Sequence, residues 1–204
     1  MTALRLEVFS DYICPWCYLG SARVERLQQD FFLDVRFTHF PLHLETPEEG
    51  QSLQQLFAGR NVDVAQMQQR MAAIMRQEGL EYGDRTMTYN SYRAQQLAAW
   101  AVSEDGGEAI HQALFLAYFV ENVNLASIDN LVDIAASIGL DADRAGEILQ
   151  SRRFREVVSA DWQRSQQLGV TGVPTYRVGE VEAVGAQPYE VLEKLVQEAG
   201  AQRR

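Results

Sequence analysis

The sequence predicts an α/β fold that carries a large all-helical insertion. Three observations indicate it: two strand-like segments flank a helix near the start of the chain, helical periodicity then dominates residues 45–155, and strand periodicity returns after residue 173. With 204 residues, the chain has the length of one well-buried domain or of a domain with an insertion. We therefore expect residues 1–44 and 156–204 to form one domain, with the helical insertion at residues 45–155.

The first two strand-like segments predict a β-α-β unit. Leu4, Leu6 and Val8 alternate with charged residues, as in a half-buried strand, and a similar alternation returns over residues 32–40. Residues 15–30 between them have the length of a helix. Because a connection through a helix favours parallel pairing, we expect the two strands to lie side by side and parallel.

Amphipathic helices are predicted throughout the insertion. Apolar residues at helical spacing begin at Val64 and Ile110, and they also follow Asn90, Ser127 and Asp141. The last three are residue types whose side chains cap the N-termini of helices. The block is therefore predicted to be all-helical, although residues 81–90 within it have no helical period.

The last part of the chain predicts a helix, a hairpin and a second helix. The first of these helices ends near Gly169. Strand periodicity then covers residues 174–178 and 181–184, and the Gly-Glu pair between them suits a type II′ turn. Pro188 begins the final helix. The inner side of the first helix is expected to contain large apolar residues, namely Phe154, Val157, Val158, Trp162 and Leu168.

Charge and composition argue against several classes of partner. The chain has 28 acidic and 18 basic residues, a net charge of −10 that repels phosphate backbones and anionic lipid headgroups. We therefore expect neither nucleic acid nor a membrane as a partner. The first residues lack the apolar core of a signal peptide, and no apolar run approaches the roughly 18 residues of a membrane helix. These features predict a cytoplasmic protein in a reducing compartment.

Cys14 and Cys17, the two cysteines of the chain, lie where the first strand gives way to its helix. This position puts Cys14 at or near the helix N-cap and Pro15 at the first helical position, where no amide donor is needed. Unpaired N–H groups and the helix dipole favour a thiolate there, so Cys14 is predicted to be the nucleophile. Cys17, one turn further along, is better shielded and close enough to attack a mixed disulfide on Cys14. It is predicted to be the resolving thiol.

Other interpretations of the cysteine pair are weaker. A structural disulfide that closes so short a loop would constrain the unfolded chain little and would be reduced in a cytoplasm. A structural zinc site needs four ligands, and His39, His43 and His111 show no partner spacing, so no metal is expected. Two inert buried thiols would leave both the proline between them and the strand-to-helix position unexplained.

Two motifs and the helical insertion together resemble a known family. Residues 14–17 read CPWC, and residues 169–176, before the predicted hairpin, read GVTGVPTY. This combination resembles the DsbA-like oxidoreductases, which have a thioredoxin fold with a large helical insertion. Residues 114–140 and 184–188 resemble the FrnE-like branch of these proteins. The resemblance covers nearly the whole chain and implies a thioredoxin-like domain formed by the two terminal segments.

The resemblance also implies a function and a substrate site. It implies thiol-disulfide exchange with disulfide-containing proteins or peptides, with glutathione or thioredoxin as further partners and no cofactor beyond the dithiol itself. Pro174 is expected to be cis, and the backbone of Val173 to pair with an extended substrate. Pro15 and Trp16, between the cysteines, are expected to contact the substrate as well. The direction of electron flow stays open, since it depends on how strongly the surroundings stabilise the thiolate.

The sequence departs from the thioredoxin pattern at one position of mechanistic importance. Many thioredoxin-like proteins have a buried carboxylate six residues before the first cysteine, as a proton acceptor for the second, whereas this chain has Val8 there. Asp11 is expected to cap the following turn rather than to move a proton. His39 and His43 lie near the predicted site, and we expect them to be exposed loop histidines rather than residues that tune the thiolate.

Two other functions remain open from the sequence. Glutathione-dependent isomerases and kappa-class-like transferases resemble this chain in fold and in the GVPT loop. They usually have a serine at the first cysteine position and an Asp-Arg pair after the hairpin, where this chain has Gly-Ala-Gln-Pro at 185–188. A redox-switched peptide-binding holdase, in which the insertion supplies an apolar groove, is not excluded by any residue.

Overall fold

The computed structural model describes residues 3–204 and divides them into two compact units. Residues 3–40 and 160–204 form the first unit, and residues 41–159 form the second. The domain boundaries expected from the sequence stay a prediction, and residues 1 and 2 of the expected first domain lie outside the described part. Every helix within residues 3–204 is too short or too polar to cross a lipid bilayer.

The first unit contains the predicted β-α-β segment and the C-terminal hairpin with its helix. Its elements are β1 (Leu4–Ser10), α1 (Pro15–Asp30), β2 (Leu33–His39), β5 (Thr175–Val178), β6 (Val181–Val184) and α9 (Tyr189–Glu198). The strands form one sheet in the order β2-β1-β5-β6. β1 and β2 are parallel, while β5 is antiparallel to β1 and to β6. The parallel pair and the hairpin confirm the sequence predictions.

An apolar core lies between the sheet and helices α1 and α9. Alternate residues of β1, including Leu6 and Val8, pack with Val24 and Leu27 of α1 and Leu192 of α9. Each such side chain, when fully buried, contributes about 1.5–3 kcal/mol to the free energy of unfolding. Val8 is thus part of the core, which explains why the position holds an apolar residue instead of a carboxylate.

The helix α8 (Arg155–Gln167) differs from its predicted packing. Its buried residues are Val158, Asp161 and Ser165, whereas Val157, expected on the inner side, is 43% exposed. Phe154 precedes the helix. Asp161 is hydrogen-bonded to His39 and Arg36. These partners compensate for the cost of burying its carboxylate, and a polar residue therefore occupies the buried side of the helix.

The second unit is helical except for one short ladder. Its helices are α2 (Leu53–Leu56), α3 (Val64–Gln77), α4 (Tyr92–Ala101), α5 (Ile110–Phe119), α6 (Ile128–Ser137) and α7 (Ala142–Ser151). The side chains of Ser127 and Asp141 cap α6 and α7 as predicted. Asn90 lies one residue before the N-cap of α4, although its Oδ1 accepts the N–H of Tyr92. The ladder, which the sequence did not predict, pairs β3 (Gln51–Ser52) with β4 (Met87–Thr88).

Candidate active site

Cys14 lies at the junction between β1 and α1. Its backbone is extended (φ −88°, ψ 115°) as the N-cap of α1, and Pro15 follows in the first turn, as predicted. The carbonyl oxygen of Cys14 accepts the N–H of Cys17 at 3.0 Å and that of Tyr18 at 3.2 Å. These hydrogen bonds begin the helix and fix the position of both cysteines in its first turn.

The sulfur of Cys14 contacts a loop from the other end of the chain. Its Sγ donates a hydrogen bond to the carbonyl oxygen of Val173 at 3.6 Å. The peptide bond between Val173 and Pro174 is cis, as the family resemblance implies. Among the described residues, Sγ makes no capping hydrogen bond to the first amides of α1, in contrast to the expectation from the sequence. Sγ instead donates its hydrogen bond to the Val173 carbonyl oxygen.

The two thiols differ from the residues between them in their exposure to solvent. Cys14 and Cys17 are both reduced and both buried, with 5% and 3% of their surface exposed. Pro15 is half-buried, and Trp16 is 41% exposed. Val173 is half-buried beside them. The site therefore offers an apolar surface around a sulfur that a substrate must approach closely.

Cys17 is a thiol that ionises with difficulty. Burial raises its pKa well above the ordinary value, and the hydrogen bond and charge of Cys14 act in the same direction. A hydrogen bond from the Ser10 side chain and one from the Asp11 backbone oppose this shift without cancelling it. Because only the thiolate is a nucleophile, a resolving role for Cys17 requires a group that takes its proton.

The buried carboxyl group of Asp11 supports the turn before the dithiol. Its Oδ1 accepts the N–H of Ile13 at 3.3 Å, which is the capping role expected from the sequence. Its backbone carbonyl oxygen accepts the N–H of Cys14 at 3.1 Å.

Within residues 3–204, no three side chains of the His, Cys, Asp and Glu types are grouped as metal ligands would be.

Tyr176 lies against the helix that carries the dithiol. A Cβ atom added to Gly20 of α1 would lie 2.1 Å from the Tyr176 hydroxyl and 3.5 Å from the ring of Pro174. Only a glycine allows this close approach. Burial raises the pKa of Tyr176, and the charges of Cys17 and Cys14 add to the shift, so the phenol keeps its proton at neutral pH.

A histidine and an aspartate form a buried pair in the same unit. Nδ1 of His39 lies 2.7 Å from Oδ2 of Asp161, and both side chains are less than one-tenth exposed. The expectation that His39 is an exposed loop residue is therefore wrong, because Asp161 on α8 is the hydrogen-bond partner of Nδ1 of its buried ring. His43 is partly exposed, 3.6 Å from the carboxylate of Glu45.

Comparison with known proteins identifies the family. The model of the DSBA-like thioredoxin domain matches residues 5–197, nearly the whole chain. The chain belongs to the DSBA-like thioredoxin domain family. This membership makes it, in general terms, a thiol-disulfide oxidoreductase, and it confirms the thioredoxin fold with a helical insertion. The FrnE-like branch is a finer assignment and stays a prediction.

Similar proteins span almost the same length as this DSBA-like chain. The protein YwbO of Bacillus subtilis is 25% identical over 197 residues, which cover 95% of this chain and 96% of YwbO. A crystal structure from Streptomyces coelicolor, described as the probable DsbA oxidoreductase SCO1869, has 29% identity and a TM-score of 0.88, with 96% of this chain and 89% of that chain covered. The cytosolic disulfide reductase DsbM of Pseudomonas aeruginosa, solved with GSH, has 20% identity and a TM-score of 0.69, covering 95% and 100%.

The DSBA-like site contains residues that sequence reasoning missed. Ser10 ends β1, His39 ends β2 and Asp161 lies on α8, and none of the three belongs to a motif, whereas Tyr176 is the last residue of the GVTGVPTY motif. One feature of the sequence points to Asp161. It follows Val158 by three residues on the buried side of α8, where a charged residue requires a partner. The sequence contains no comparable signal for Ser10 and His39, because their burial depends on elements distant in the chain.

Proposed function

We propose that the chain exchanges disulfides through its CPWC dithiol, with Cys14 as the nucleophile and Cys17 as the resolving thiol. The observation that carries the proposal is the 3.6 Å contact between Sγ of Cys14 and the carbonyl oxygen of Val173 beside a cis proline. This contact joins the sulfur at the start of α1 to a main-chain segment that an extended substrate can follow.

The exchange takes two balanced steps. In the first, the Cys14 thiolate attacks one sulfur of a substrate disulfide, a bond forms between them, and the other substrate sulfur leaves as a thiolate. In the second, the deprotonated Cys17 attacks Sγ of Cys14, the intramolecular disulfide forms, and the remaining substrate sulfur leaves with its electron pair. The substrate disulfide gains two electrons and the dithiol loses two. The same steps in reverse oxidise a substrate dithiol.

Proteins and peptides that contain disulfides are the proposed substrates. Main-chain pairing at Val173 would accept many sequences, because it uses backbone groups that every residue has. The exposed ring of Trp16 and the half-buried Pro15 would add apolar contacts next to the reacting sulfur. Pro174 would hold the Val173 carbonyl in place. A site of this kind would select substrates by the accessibility of their disulfide more than by the sequence around it.

Glutathione is the proposed small-molecule partner, and the dithiol needs no other cofactor. The structure of DsbM, which shares this fold, was solved with GSH. In a reducing cytoplasm, glutathione or thioredoxin would return the oxidised dithiol to its reduced form. Equilibration of the Cys14–Cys17 pair with glutathione buffers of known ratio gives its reduction potential, and this value decides whether the chain reduces or oxidises its substrates.

A turnover assay tests the proposal. The full chain is incubated with a disulfide-bonded peptide and reduced glutathione, and free peptide thiol is measured over time. We expect turnover in the wild type and none above background in Cys14→Ser. The same assay with Cys17→Ser should give a covalent adduct and little turnover. Turnover that persists in Cys14→Ser would refute the proposed mechanism, and peptide binding without exchange in the wild type would favour the holdase.

Calorimetry with glutathione addresses the isomerase or transferase alternative. Arg23 donates to the carbonyl oxygens of Ala186 at 3.0 Å and Gln187 at 2.7 Å, so these backbone acceptors are already used where the glutathione-dependent relatives have their Asp-Arg pair. We therefore expect glutathione to react with the oxidised dithiol but to bind the Cys14→Ser variant weakly. Tight, stoichiometric binding to that variant would favour the glutathione-dependent alternative.

A further inference from the structure

A buried arginine of the second unit has no acidic partner. Arg85, two residues before β4, is 8% exposed. Its Nη1 donates to the hydroxyl of Tyr82 at 3.2 Å and its Nη2 to that of Tyr118 at 2.8 Å, so two of the five N–H donors of a guanidinium are used. Within residues 3–204, no carboxylate forms an ion pair with Arg85. Because a guanidinium keeps its proton in proteins, a full positive charge is buried here.

The two tyrosine hydroxyls are neutral acceptors for this charge. Tyr82 donates its own proton to Oε1 of Gln68 at 3.2 Å, and Tyr118 donates to Oγ1 of Thr88 at 3.1 Å. Each hydroxyl therefore presents a lone pair to Arg85 and passes its proton to another neutral group. These hydrogen bonds orient the guanidinium, but they supply no negative charge to balance it.

Aromatic rings cover the guanidinium without supplying an opposite charge either. Cζ of Arg85 lies 4.5 Å from the centroid of the Tyr118 ring and 4.7 Å from that of the Phe119 ring. The face of a ring attracts a cation, but less strongly than a carboxylate at hydrogen-bond distance does. Nε of Arg85 is also buried, and it has no hydrogen-bond partner within residues 3–204. Such a cation calls for a further partner, because buried charges in folded proteins are almost always paired.

A small cavity adjoins this arginine. Its volume is about 160 Å³, and Arg85 and Tyr118 both contribute to its wall. The other lining residues belong to the same unit and are Asp84, Thr86, Met87, Tyr89 and Asn122. Since a water molecule takes up about 30 Å³ in the liquid, the cavity has room for an anion of a few heavy atoms.

The loop that carries Arg85 is fixed to its surroundings. The N–H of Gly83 donates to the carbonyl oxygen of Phe119 at 2.8 Å, at the end of α5. A Cβ atom on Gly83 would lie 2.5 Å from the carbonyl oxygen of Val120, so the loop packs directly on this backbone. Nε2 of Gln68 on α3 donates to the carbonyl oxygen of Arg85 at 3.1 Å. The guanidinium is thus held in place before any ligand arrives, which lowers the entropic cost of binding.

We propose that the cavity beside Arg85 binds a small monocarboxylate of about the size of acetate as the counter-ion of the buried guanidinium. The planar fork of a guanidinium matches the two oxygens of a carboxylate. One negative charge balances the one buried positive charge. A doubly charged phosphate would instead leave an excess of negative charge beside the exposed Asp84, which also lines the cavity. The proposal is independent of the disulfide exchange argued above, since every residue it uses belongs to the second unit.

An NMR titration of the full chain with sodium acetate tests the proposal. Sodium chloride keeps the ionic strength constant, so that general salt effects cancel. We expect a saturable shift of the assigned Nε–H resonance of Arg85 and of the backbone amide resonances of Thr86 and Asn122. Acetamide, which has the shape of acetate without its charge, should shift none of the three. Inorganic phosphate is the second anion tested, and it should bind more weakly than acetate.

Three variants locate the anion. Arg85→Gln removes the buried charge, and we expect Kd for acetate, followed by the amide of Asn122, to rise by more than about tenfold. Asp84→Asn removes a charge that repels the anion, and we expect Kd to fall about twofold to threefold. Arg76→Gln is the matched control, because it removes an exposed arginine of α3 in the same unit, and Kd should stay unchanged.

Each outcome either supports or overturns the site. The absence of a saturable shift with acetate in the wild type overturns the proposal, and so does equal binding by Arg85→Gln. Binding of phosphate without binding of acetate overturns the assignment to a carboxylate. If Arg85→Gln does not fold, the wild-type titration and Asp84→Asn decide. Tighter binding by Asp84→Asn supports the site, whereas unchanged or weaker binding contradicts the placement of the anion in this cavity.

Discussion

The sulfur atom of Cys14 lies 3.6 Å from the carbonyl oxygen of Val173, although 159 positions of the chain separate the two residues. The pairing of two strands brings the residues together. β1 leads into the turn that carries Cys14, and the adjacent strand β5 follows Pro174. The reactive thiol and the proposed substrate-binding backbone are thus positioned by neighbouring strands of one rigid sheet.

The close approach between Gly20 and Tyr176 predicts a loss of stability in Gly20→Ala. The new Cβ would lie 2.1 Å from the Tyr176 hydroxyl, so either the ring or α1 must move. We expect urea unfolding to show a loss of about 1–3 kcal/mol. Gly146→Ala is the matched control, since its Cβ would meet no atom closer than 3.8 Å, and it should be neutral or stabilising. Adding Tyr176→Phe to Gly20→Ala should recover most of the loss, and no recovery would contradict the steric explanation.

The exposed indole of Trp16 predicts a selective effect on large substrates. In Trp16→Ala, we expect KM for a disulfide-bonded protein to rise several-fold, since hydrophobic contact is lost beside the reacting sulfur. Alkylation of Cys14 by iodoacetamide should change little, because this small reagent needs no such contact. An equal loss with both reagents would indicate that Trp16 acts on the thiol rather than on the substrate.

The ion pair between Glu7 and Arg164 predicts a stability difference that depends on pH. Burial acts to raise the pKa of Glu7, but the hydrogen bonds from Arg164 and Thr38 outweigh it and lower the pKa below the ordinary value. A lowered folded-state pKa gives stability above the unfolded-state pKa, and this stability is lost as the pH falls through the folded-state value. Glu7→Gln should therefore cost about 1–3 kcal/mol at pH 7, and the difference from the wild type should shrink in acid.

A surface pair provides the control for the Glu7 experiment. Glu198 lies 3.7 Å from Lys194 with both side chains exposed, so Glu198→Gln should change the free energy of unfolding by less than about 1 kcal/mol at any pH. Chemical unfolding at a series of pH values measures both variants. A constant difference between Glu7→Gln and the wild type across the acid range would contradict the assignment of the stabilising charge to Glu7.

Much of the fold could be predicted because many of its helices and strands are encoded by short, local sequence patterns. The alternation through Leu6 and Val8, Pro15 at the start of a helix, and the caps Ser127 and Asp141 each encode structure within a few residues. The dithiol and the Val173-Pro174 segment were found in the same way, as short motifs. The two segments meet in space because β5 pairs with β1, so that the residues before β5 lie beside the start of α1.

The buried polar residues could not be predicted in this manner. His39 has the sequence context of a loop histidine, and its burial depends on Asp161, which lies 122 positions away. Asp161 and Ser165 occupy the side of α8 where periodicity placed large apolar residues, because partners from other elements satisfy them. The pairing of Gln51 with Thr88 is equally invisible, since a two-residue strand has no period to detect.

Trapping of the mixed disulfide tests the central claim most directly. Reduced Cys17→Ala and Cys14→Ala variants are each mixed with a disulfide-bonded peptide, and the intact mass of the protein is measured. The account predicts a stable peptide adduct on Cys14 in Cys17→Ala and no adduct in Cys14→Ala. An adduct on Cys17 in Cys14→Ala that forms at the same rate, or no adduct in either variant, would contradict it.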